Sequence, residues 1–450
     1  MNQSIFRLYD IRGKYPEEIS ESVVFAVAVR LGVLFDKNKK IIVGCDGRVS
    51  SPALYRAFCA GLDRAEIGYV PIGLATRPMM IFLTHYRRAG GAVLVTASHN
   101  PKEYNGLKIS DERGRDISGI ALYKKLYTWR TSSWERRFTD DAPIVQSDKL
   151  PYDAYVSFLI DRVALPRSIK VVVDCSNGAT APIVQRLKNR VHNLSLVLIN
   201  NSVDGSFPAH GPDPTRVGAL KQLSARVRKE HADFGVCFDG DGDRAVFVDN
   251  AGVPLRAGHM WRLLVGDSRV HTTVYTVASA YAIAQFAPTI SRAALHVHRA
   301  AVGQVSIEST MRRVGADIGF EESGHYYFKD FFNADSGIFA MMRVAQAIAR
   351  LPYDLKRFRL FLPPLLPALD FSMPMLRIRQ RNLFFRISHA FGKEIHLIDR
   401  TDGMACAVRD GWFLVRISNT QDVVRVYVEG KTAARVRALA QRLARAIKIT

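Results

Sequence analysis

The chain has 450 residues, 48% apolar and 23% charged, a composition that supports sizeable cores and three or four domains. Its five cysteines lie far apart with no CxxC pair, which argues against a disulfide framework or a zinc motif and fits a reducing compartment. The net charge of +21, from 63 basic and 42 acidic residues, is spread along the chain, so it reads as a solvated surface that helps attract anionic substrates and not as a nucleic-acid footprint.

The opening, MNQSIFRLYDIRG, lacks the basic start and apolar core of a secretory signal. The run Val23 to Val29 is too short to span a bilayer and reads as part of a buried helix. A cytoplasmic protein with no membrane insertion is expected. Lys40 to Gly44 begins a grammar that then recurs: a β-branched run, a polar Gly-rich loop, and a helix-like stretch. Here the loop is Cys45-Asp46-Gly47-Arg48. Ala92 to Val95 precedes Thr96-Ala97-Ser98-His99-Asn100-Pro101, Ile169 to Val173 precedes Asp174 to Gly178, and Phe234 to Phe238 precedes Asp239 to Arg244. Near-continuous apolar strands alternating with helices predict α/β layers with buried, largely parallel strands. Ligands then sit beyond the carboxyl ends of those strands. The charged stretch 134–148 reads as a linker or surface loop, and the Pro-rich stretch 361–374 as a second joint. At the end, Val436, Leu439, Ala440, Leu443 and Ile447 share a helical face that Arg435, Arg437, Arg442 and Arg445 avoid. Such a helix packs on its own sheet or lies on a membrane; the first is the commoner fate.

Four loops carry candidate chemistry. In 96–108, Ser98 is either a phosphoryl carrier or a turn residue; a serine needs a base, a metal or prior phosphorylation to react. His99 and Lys108 are near enough in sequence to handle protons or phosphate. In Asp239-Gly240-Asp241-Gly242-Asp243-Arg244, three carboxylates converge if the glycines fold the backbone tightly. Converging carboxylates call for a cation, and an oxygen-only set suits Mg²⁺ and phosphate chemistry. The loop lacks the spacing to a bidentate Glu that a calcium loop needs. In Gly319 to His325, Glu321 and Ser323 share one side of an extended segment and suit sugar hydroxyls or a surface turn. Arg416-Ile417-Ser418-Asn419-Thr420, with Arg425 beyond, makes an anion nest in which Asp422 is an unwelcome neighbour.

The ordered set YDIRG (9–13), TASHNPKEYNGLK (96–108), DGDGDR (239–244), EESGH (321–325) and RISNT (416–420) resembles the α-D-phosphohexomutases, most of all their bacterial phosphomannomutase and phosphomannomutase/phosphoglucomutase branch. The resemblance covers essentially the whole chain. It implies three related α/β domains with mixed, largely parallel sheets, over 1–148, 149–250 and 251–365, and a smaller α+β domain over 366–450. It implies that Ser98 is phosphorylated and, with Asp239, Asp241 and Asp243, holds Mg²⁺, while Arg244 supports the phosphate. Arg12, His99 and Lys108 match catalytic positions and Tyr9 a substrate-binding one. Glu321 and Ser323, with His325 beside them, match the sugar contacts. Arg416, Ser418, Asn419 and Thr420, assisted by Arg425, match the phosphate clamp.

The implied reaction moves a phosphoryl group between C6 and C1 of a hexose through phospho-Ser98 and a hexose 1,6-bisphosphate that also serves as activator. It would feed nucleotide-sugar and polysaccharide synthesis from a monomer or weak dimer. The glucosamine-phosphate branch carries Gly-Thr-Asp-Gly near its start and Ser-Gly-Thr in the clamp. YDIRG and Ser418-Asn419-Thr420 point instead to mannose and glucose phosphates. Phosphoglucosamine mutase and an inactive sugar-phosphate binding protein are the rival readings. Ile417, Gln421 and Asp422 in the clamp, the stretch 299–303 and Ser336 depart from the family pattern.

Overall fold

The computed structural model describes residues 3–31, 34–36, 38–127, 149–188, 190–290, 295–374, 382–418 and 423–448. The linker expected at 134–148 lies outside them. The chain divides into two compact units, residues 1–270 with 323–359, and residues 271–322 with 360–450.

The first unit begins with β1 (Ile11–Lys14), α1 (Glu21–Arg30), β2 (Ile41–Cys45), α2 (Ser51–Arg64), β3 (Tyr69–Leu74), α3 (Arg77–Tyr86), β4 (Gly91–Val95), β5 (Tyr104–Asp111) and α4 (Gly119–Tyr127). Their sheet has the order β1-β5-β4-β2-β3, parallel among β4, β2 and β3 and antiparallel at β5 and β1. β2 and β4 are buried along their whole length. Covered on both faces, they read as continuous apolar runs instead of alternating ones. The helices bury one stripe each, Val24, Val27 and Ala28 on α1 and Leu54, Phe58 and Leu62 on α2, at the spacing of a helical face.

The plan then repeats. α5 (Lys149–Ile160), β6 (Ile169–Asp174), α6 (Ala181–Leu187), β7 (Leu194–Ile199), α7 (Lys221–Glu230), β8 (Phe234–Phe238), β9 (Ala245–Asp249) and β10 (Pro254–Leu255) follow. The order is β10-β9-β8-β6-β7, again a parallel trio flanked by two antiparallel strands. The two sheets differ in where the outermost strand comes from: the chain start in one, the residues after β9 in the other. Two sheets of one plan bear out the expectation of related α/β domains.

α8 (Ala257–Leu264) closes this stretch. Its third residue, His259, accepts a hydrogen bond at Nδ1 from Arg256 N (3.2 Å). Burial, with Arg256 and Arg359 nearby, lowers the His259 pKa to about 4. The folded state therefore resists a proton that the unfolded chain takes up near its ordinary value of 6.5. This contribution is fully present above that value and is lost as pH falls toward about 4, and it amounts to about 3 kcal/mol. Denaturation midpoints measured across that window should fall steeply for the parent and less steeply for His259→Asn.

The second unit opens with β11 (Thr272–Thr276), α9 (Ala280–Phe286), β12 (His296–Ala300), α10 (Gln304–Val314) and β13 (Ile318–Phe320), with β11 between β12 and β13 and parallel to both. In the first unit, β14 (Tyr326–Phe328) pairs antiparallel with β15 (Ala334–Asp335), and α11 (Gly337–Ala349) follows. Ser336 caps α11 by accepting from Phe339 N (3.2 Å), which accounts for a short polar residue there. After α12 (Leu355–Phe361), the second unit continues through β16 (Ala368–Pro374), α13 (Leu383–Phe391), β17 (Leu397–Asp399), β18 (Met404–Val408), β19 (Gly411–Ile417), β20 (Val423–Gly430) and α14 (Ala433–Lys448). This last sheet, β16-β20-β19-β18-β17, is antiparallel throughout. The predicted apolar face of α14 joins the core of that sheet, with Leu439 and Leu443 among Phe391, Phe413 and Val426. Among the described residues, no helix is long and apolar enough to cross a membrane.

Candidate active site

Two loops of the first unit meet beyond the ends of parallel strands, 96–101 after β4 and 239–244 after β8. Ser98 has φ of +51°, a left-handed backbone that non-glycine residues seldom adopt. A single arginine secures it. Arg48, 1% exposed, donates through Nη2 to Ser98 O (2.6 Å) and Asn100 O (2.7 Å), and through Nη1 to Pro101 O (2.7 Å) and Tyr104 O (3.0 Å). Its Nε donates to Asp46 Oδ2 (3.0 Å). Thr96 Oγ1 accepts from Ser98 N (2.8 Å) and donates to Asp46 Oδ2 (2.7 Å). Arg48→Met would leave a buried carboxylate and four carbonyls short of donors, at a cost of at least about 3–5 kcal/mol. Arg48→Lys should recover only part of that, because an ammonium lacks the fork. Urea midpoints of the two variants check both statements.

The aspartate loop folds on its own first carboxylate. Asp239 Oδ1 accepts from Gly242 N (3.0 Å) and Arg244 N (3.1 Å). Gly242 has φ of +78°. At Gly240 a Cβ would stand 2.8 Å from Ser98 O, so glycine is what lets the two loops approach. Ser98 Oγ then donates to Asp239 Oδ2 at 3.1 Å.

Asp239, Asp241 and Asp243 are buried, with one oxygen of each within 4.8 Å of the others. Lys108 Nζ, from β5, donates to Asp241 Oδ2 (3.0 Å) and Asp243 Oδ2 (2.7 Å). Burial works against the Lys108 charge, but Asp241 and Asp243 outweigh it and push the pKa up. Burial likewise opposes ionisation of Asp243, and Lys108 and His325 outweigh it. Asp239 carries the imbalance: burial, then Asp243 and Asp241, drive its pKa well above the carboxylate range. Asp241 Oδ1 is buried with no hydrogen-bond partner, and Asp243 Oδ1 has His325 Nε2 at 3.4 Å. Three buried carboxylates, two of them sharing one lysine and one oxygen left without a donor, fit a hard divalent cation such as Mg²⁺.

His99 presents Nδ1 to Ser98 Oγ (3.3 Å) and Nε2 to Arg244 Nη2 (3.4 Å). A guanidinium only donates, so Nε2 is the acceptor and Nδ1 carries the proton. Burial, then Arg244 and Arg12, hold His99 well below the usual imidazole range. The ring is neutral at pH 7 and offers Ser98 an N–H, not a lone pair. Arg244 Nε donates to His325 Nε2 (3.3 Å), and His325 Nδ1 meets Ser323 Oγ (2.9 Å). Arg12, on β1, donates to Asn100 Oδ1 (3.0 Å) and Asp10. Tyr9 is half-buried in the bend before β1. Arg77, at the start of α3, pairs with Asp116 (3.2 Å) and with Asp335, the three side chains at most 5% exposed. Arg48, Arg77, Asp116 and Asp335 escaped the sequence reading. Only Arg48 left a trace there, in a polar loop after a buried strand.

The second unit holds the remaining predicted residues. Glu321, after β13, is buried and accepts from Gly303 N (2.9 Å). Arg416 and Arg425 face each other across β19 and β20, and Arg416 Nε donates to Asp402 Oδ2 (2.8 Å). The same Asp402 oxygen accepts from Val302 N (3.0 Å). Ser418 N donates to Val423 O (2.9 Å) and closes the hairpin. Asn419, Thr420, Gln421 and Asp422 lie outside the described residues.

Comparison with known proteins yields four family matches along the chain: phosphoglucomutase/phosphomannomutase alpha/beta/alpha domain I at residues 3–125, domain II at 153–252, domain III at 261–359, and the C-terminal domain at 395–446. A phosphomannomutase of Escherichia coli (strain K12) is 30% identical over 95% of this chain and 94% of its own length. A phosphomannomutase/phosphoglucomutase of Pseudomonas syringae is 29% identical over 96% of this chain and 92% of its own. Among solved structures, a phosphoglucomutase/phosphomannomutase family protein from Burkholderia thailandensis matches with a TM-score of 0.82 at 27% identity, covering 100% of this chain and 98% of that one.

Proposed function

The chain belongs to the phosphoglucomutase/phosphomannomutase family, and from that premise we propose that it interconverts mannose 6-phosphate and mannose 1-phosphate, and the corresponding glucose phosphates, through phospho-Ser98. It is a phosphohexomutase of the isomerase class. The observation that carries the finer reading is the contact of Ser98 Oγ with Asp239 Oδ2, 3.1 Å, at the edge of three buried carboxylates.

Asp239, Asp241 and Asp243 would hold Mg²⁺ together with an oxygen of the Ser98 phosphate. The cation would neutralise charge on the transferring group. Arg12, Arg244 and Lys108 bring positive charge to the same loops, and phosphoryl transfer asks a protein mainly for positioning and charge stabilisation. In the forward step the bond between Ser98 Oγ and phosphorus breaks, and a bond from the free hydroxyl of the hexose monophosphate to that phosphorus forms. Oγ departs with the electron pair and receives the proton that the hydroxyl gives up. The His99 Nδ1–H, 3.3 Å from Oγ, stabilises the departing oxygen. The resulting hexose 1,6-bisphosphate returns its other phosphoryl group to Ser98. In that step the Ser98 Oγ–phosphorus bond forms as the bond from the sugar oxygen to phosphorus breaks, and the sugar oxygen departs with the electron pair and receives the proton that Oγ gives up.

Glu321, Ser323 and His325 would contact the sugar hydroxyls. Arg416, Ser418, Asn419, Thr420 and Arg425 would grip the phosphate that does not react. Two arginines on one cross-strand pair supply paired forks of donors for such a dianion. The choice of mannose and glucose rests on YDIRG and on the Ser-Asn-Thr clamp, in keeping with the names of the relatives. Steady-state rates with Mg²⁺ and a trace of glucose 1,6-bisphosphate test it. A higher kcat/KM for glucosamine phosphate than for mannose or glucose phosphate would overturn the substrate choice.

A further inference from the structure

At the carboxyl ends of β6 and β8 a different set of donors converges. Asp174 ends β6, Cys237 lies near the end of β8, and His210 comes from the loop between β7 and α7. His210 Nε2 is 3.1 Å from Asp174 Oδ2 and 3.9 Å from Cys237 Sγ, and all three donor atoms lie within 4.8 Å of one another. Zinc bonds of about 2.0–2.3 Å in a tetrahedron put neighbouring ligands about 3.5 Å apart. The two measured edges bracket that spacing.

The surroundings orient the set. Asn200 Nδ2 donates to both Asp174 oxygens (2.9 and 3.0 Å), and Ser176 N donates to Oδ1 (2.9 Å). Such outer contacts fix a ligating carboxylate without exhausting its lone pairs. His210 Nδ1 is buried with no hydrogen-bond partner, so the ring is oriented by what Nε2 meets. Cys237 otherwise packs among Val172, Leu223, Val227 and Val248, with Ser176 Oγ 3.4 Å and Phe238 O 3.7 Å from its sulfur. An alanine would fill that place, yet its sulfur faces an imidazole nitrogen. Asp174 and Cys237 are fully buried, and the His210 side chain is 9% exposed, leaving an entry on its side.

The geometry points to a second metal site, made by Asp174, His210 and Cys237, that takes a zinc-class ion and not Mg²⁺. One thiolate, one imidazole and one carboxylate form a borderline-soft set, in contrast to the oxygen-only cluster of Asp239, Asp241 and Asp243. The three ligands are remote in sequence and no cysteine pair marks them, which is why motif spacing argued against a zinc site.

Cobalt(II) added to the chelator-treated full chain, with Mg²⁺ in excess to occupy the carboxylate site, tests this. One equivalent should produce a sulfur-to-cobalt charge-transfer band with the visible bands of a tetrahedral ion. Cys237→Ala should abolish the charge-transfer band and retain Mg²⁺-dependent turnover. His210→Gln, a loop substitution that leaves the strands intact, should weaken cobalt retention at least tenfold. A parent protein without the band, a band that persists in Cys237→Ala, or unchanged retention in His210→Gln would each overturn the assignment. None of these readouts depends on which hexose the enzyme prefers.

Discussion

Replacing Ser98 by alanine is expected to lower kcat by at least about a thousandfold, about 4 kcal/mol of barrier, with little change in the denaturation midpoint. The reasoning begins with contacts. The Arg48 bonds reach the backbone of the loop and not the serine hydroxyl, so alanine leaves them in place. What disappears is Oγ, the atom that faces Asp239 and His99, and with it the proposed carrier of the phosphoryl group. Intact mass and peptide mapping of the parent should find a phosphate on Ser98. The variant should lack it even after incubation with glucose 1,6-bisphosphate. Turnover within tenfold of the parent, or a phosphate mapped elsewhere, would remove Ser98 from the reaction.

The second large effect is expected at Lys108. Its ammonium is buried and shared by Asp241 and Asp243, and removing one partner of a buried ion pair costs about 3–5 kcal/mol. Lys108→Met should therefore be strongly destabilised in chelator. The lysine and a divalent cation draw on the same carboxylates, so the Mg²⁺-induced rise in the urea midpoint should be larger in the variant than in the parent. At a hundredfold excess over Kd the cation contributes about 2.7 kcal/mol. Equal rises in parent and variant would mean that lysine and cation do not compete for Asp241 and Asp243. On the proposed mechanism activity should fall as well, since Lys108 would bring charge to the transferring group.

Much of this site was readable before any coordinates. β2, β4, β6 and β8 announced themselves as unbroken apolar runs because both faces are covered. The loops after β4 and β8 carried serine and aspartates in an order that chance does not supply. What stayed hidden was anything that joins distant segments through a side chain. Arg48 is 50 residues from the serine whose carbonyl it holds, and periodicity is blind to such a pairing. Arg77 and Asp335 are 258 apart. The tautomer of His99 was equally out of reach, since it follows from Arg244, 145 residues away. The sequence reading left His99 as a candidate for proton transfer. Its geometry recommends it as a hydrogen-bond donor.

The left-handed backbone at Ser98 sets turnover against durability. Glycine would sit at φ of +51° free of the roughly 1–2 kcal/mol that a side chain incurs there. Ser98→Gly should thus be as inactive as Ser98→Ala and harder to unfold. On the proposed mechanism a serine is kept at such a place for its hydroxyl. In a lineage that no longer needed the enzyme, this is among the first positions where drift would run downhill, toward a sturdier and silent protein.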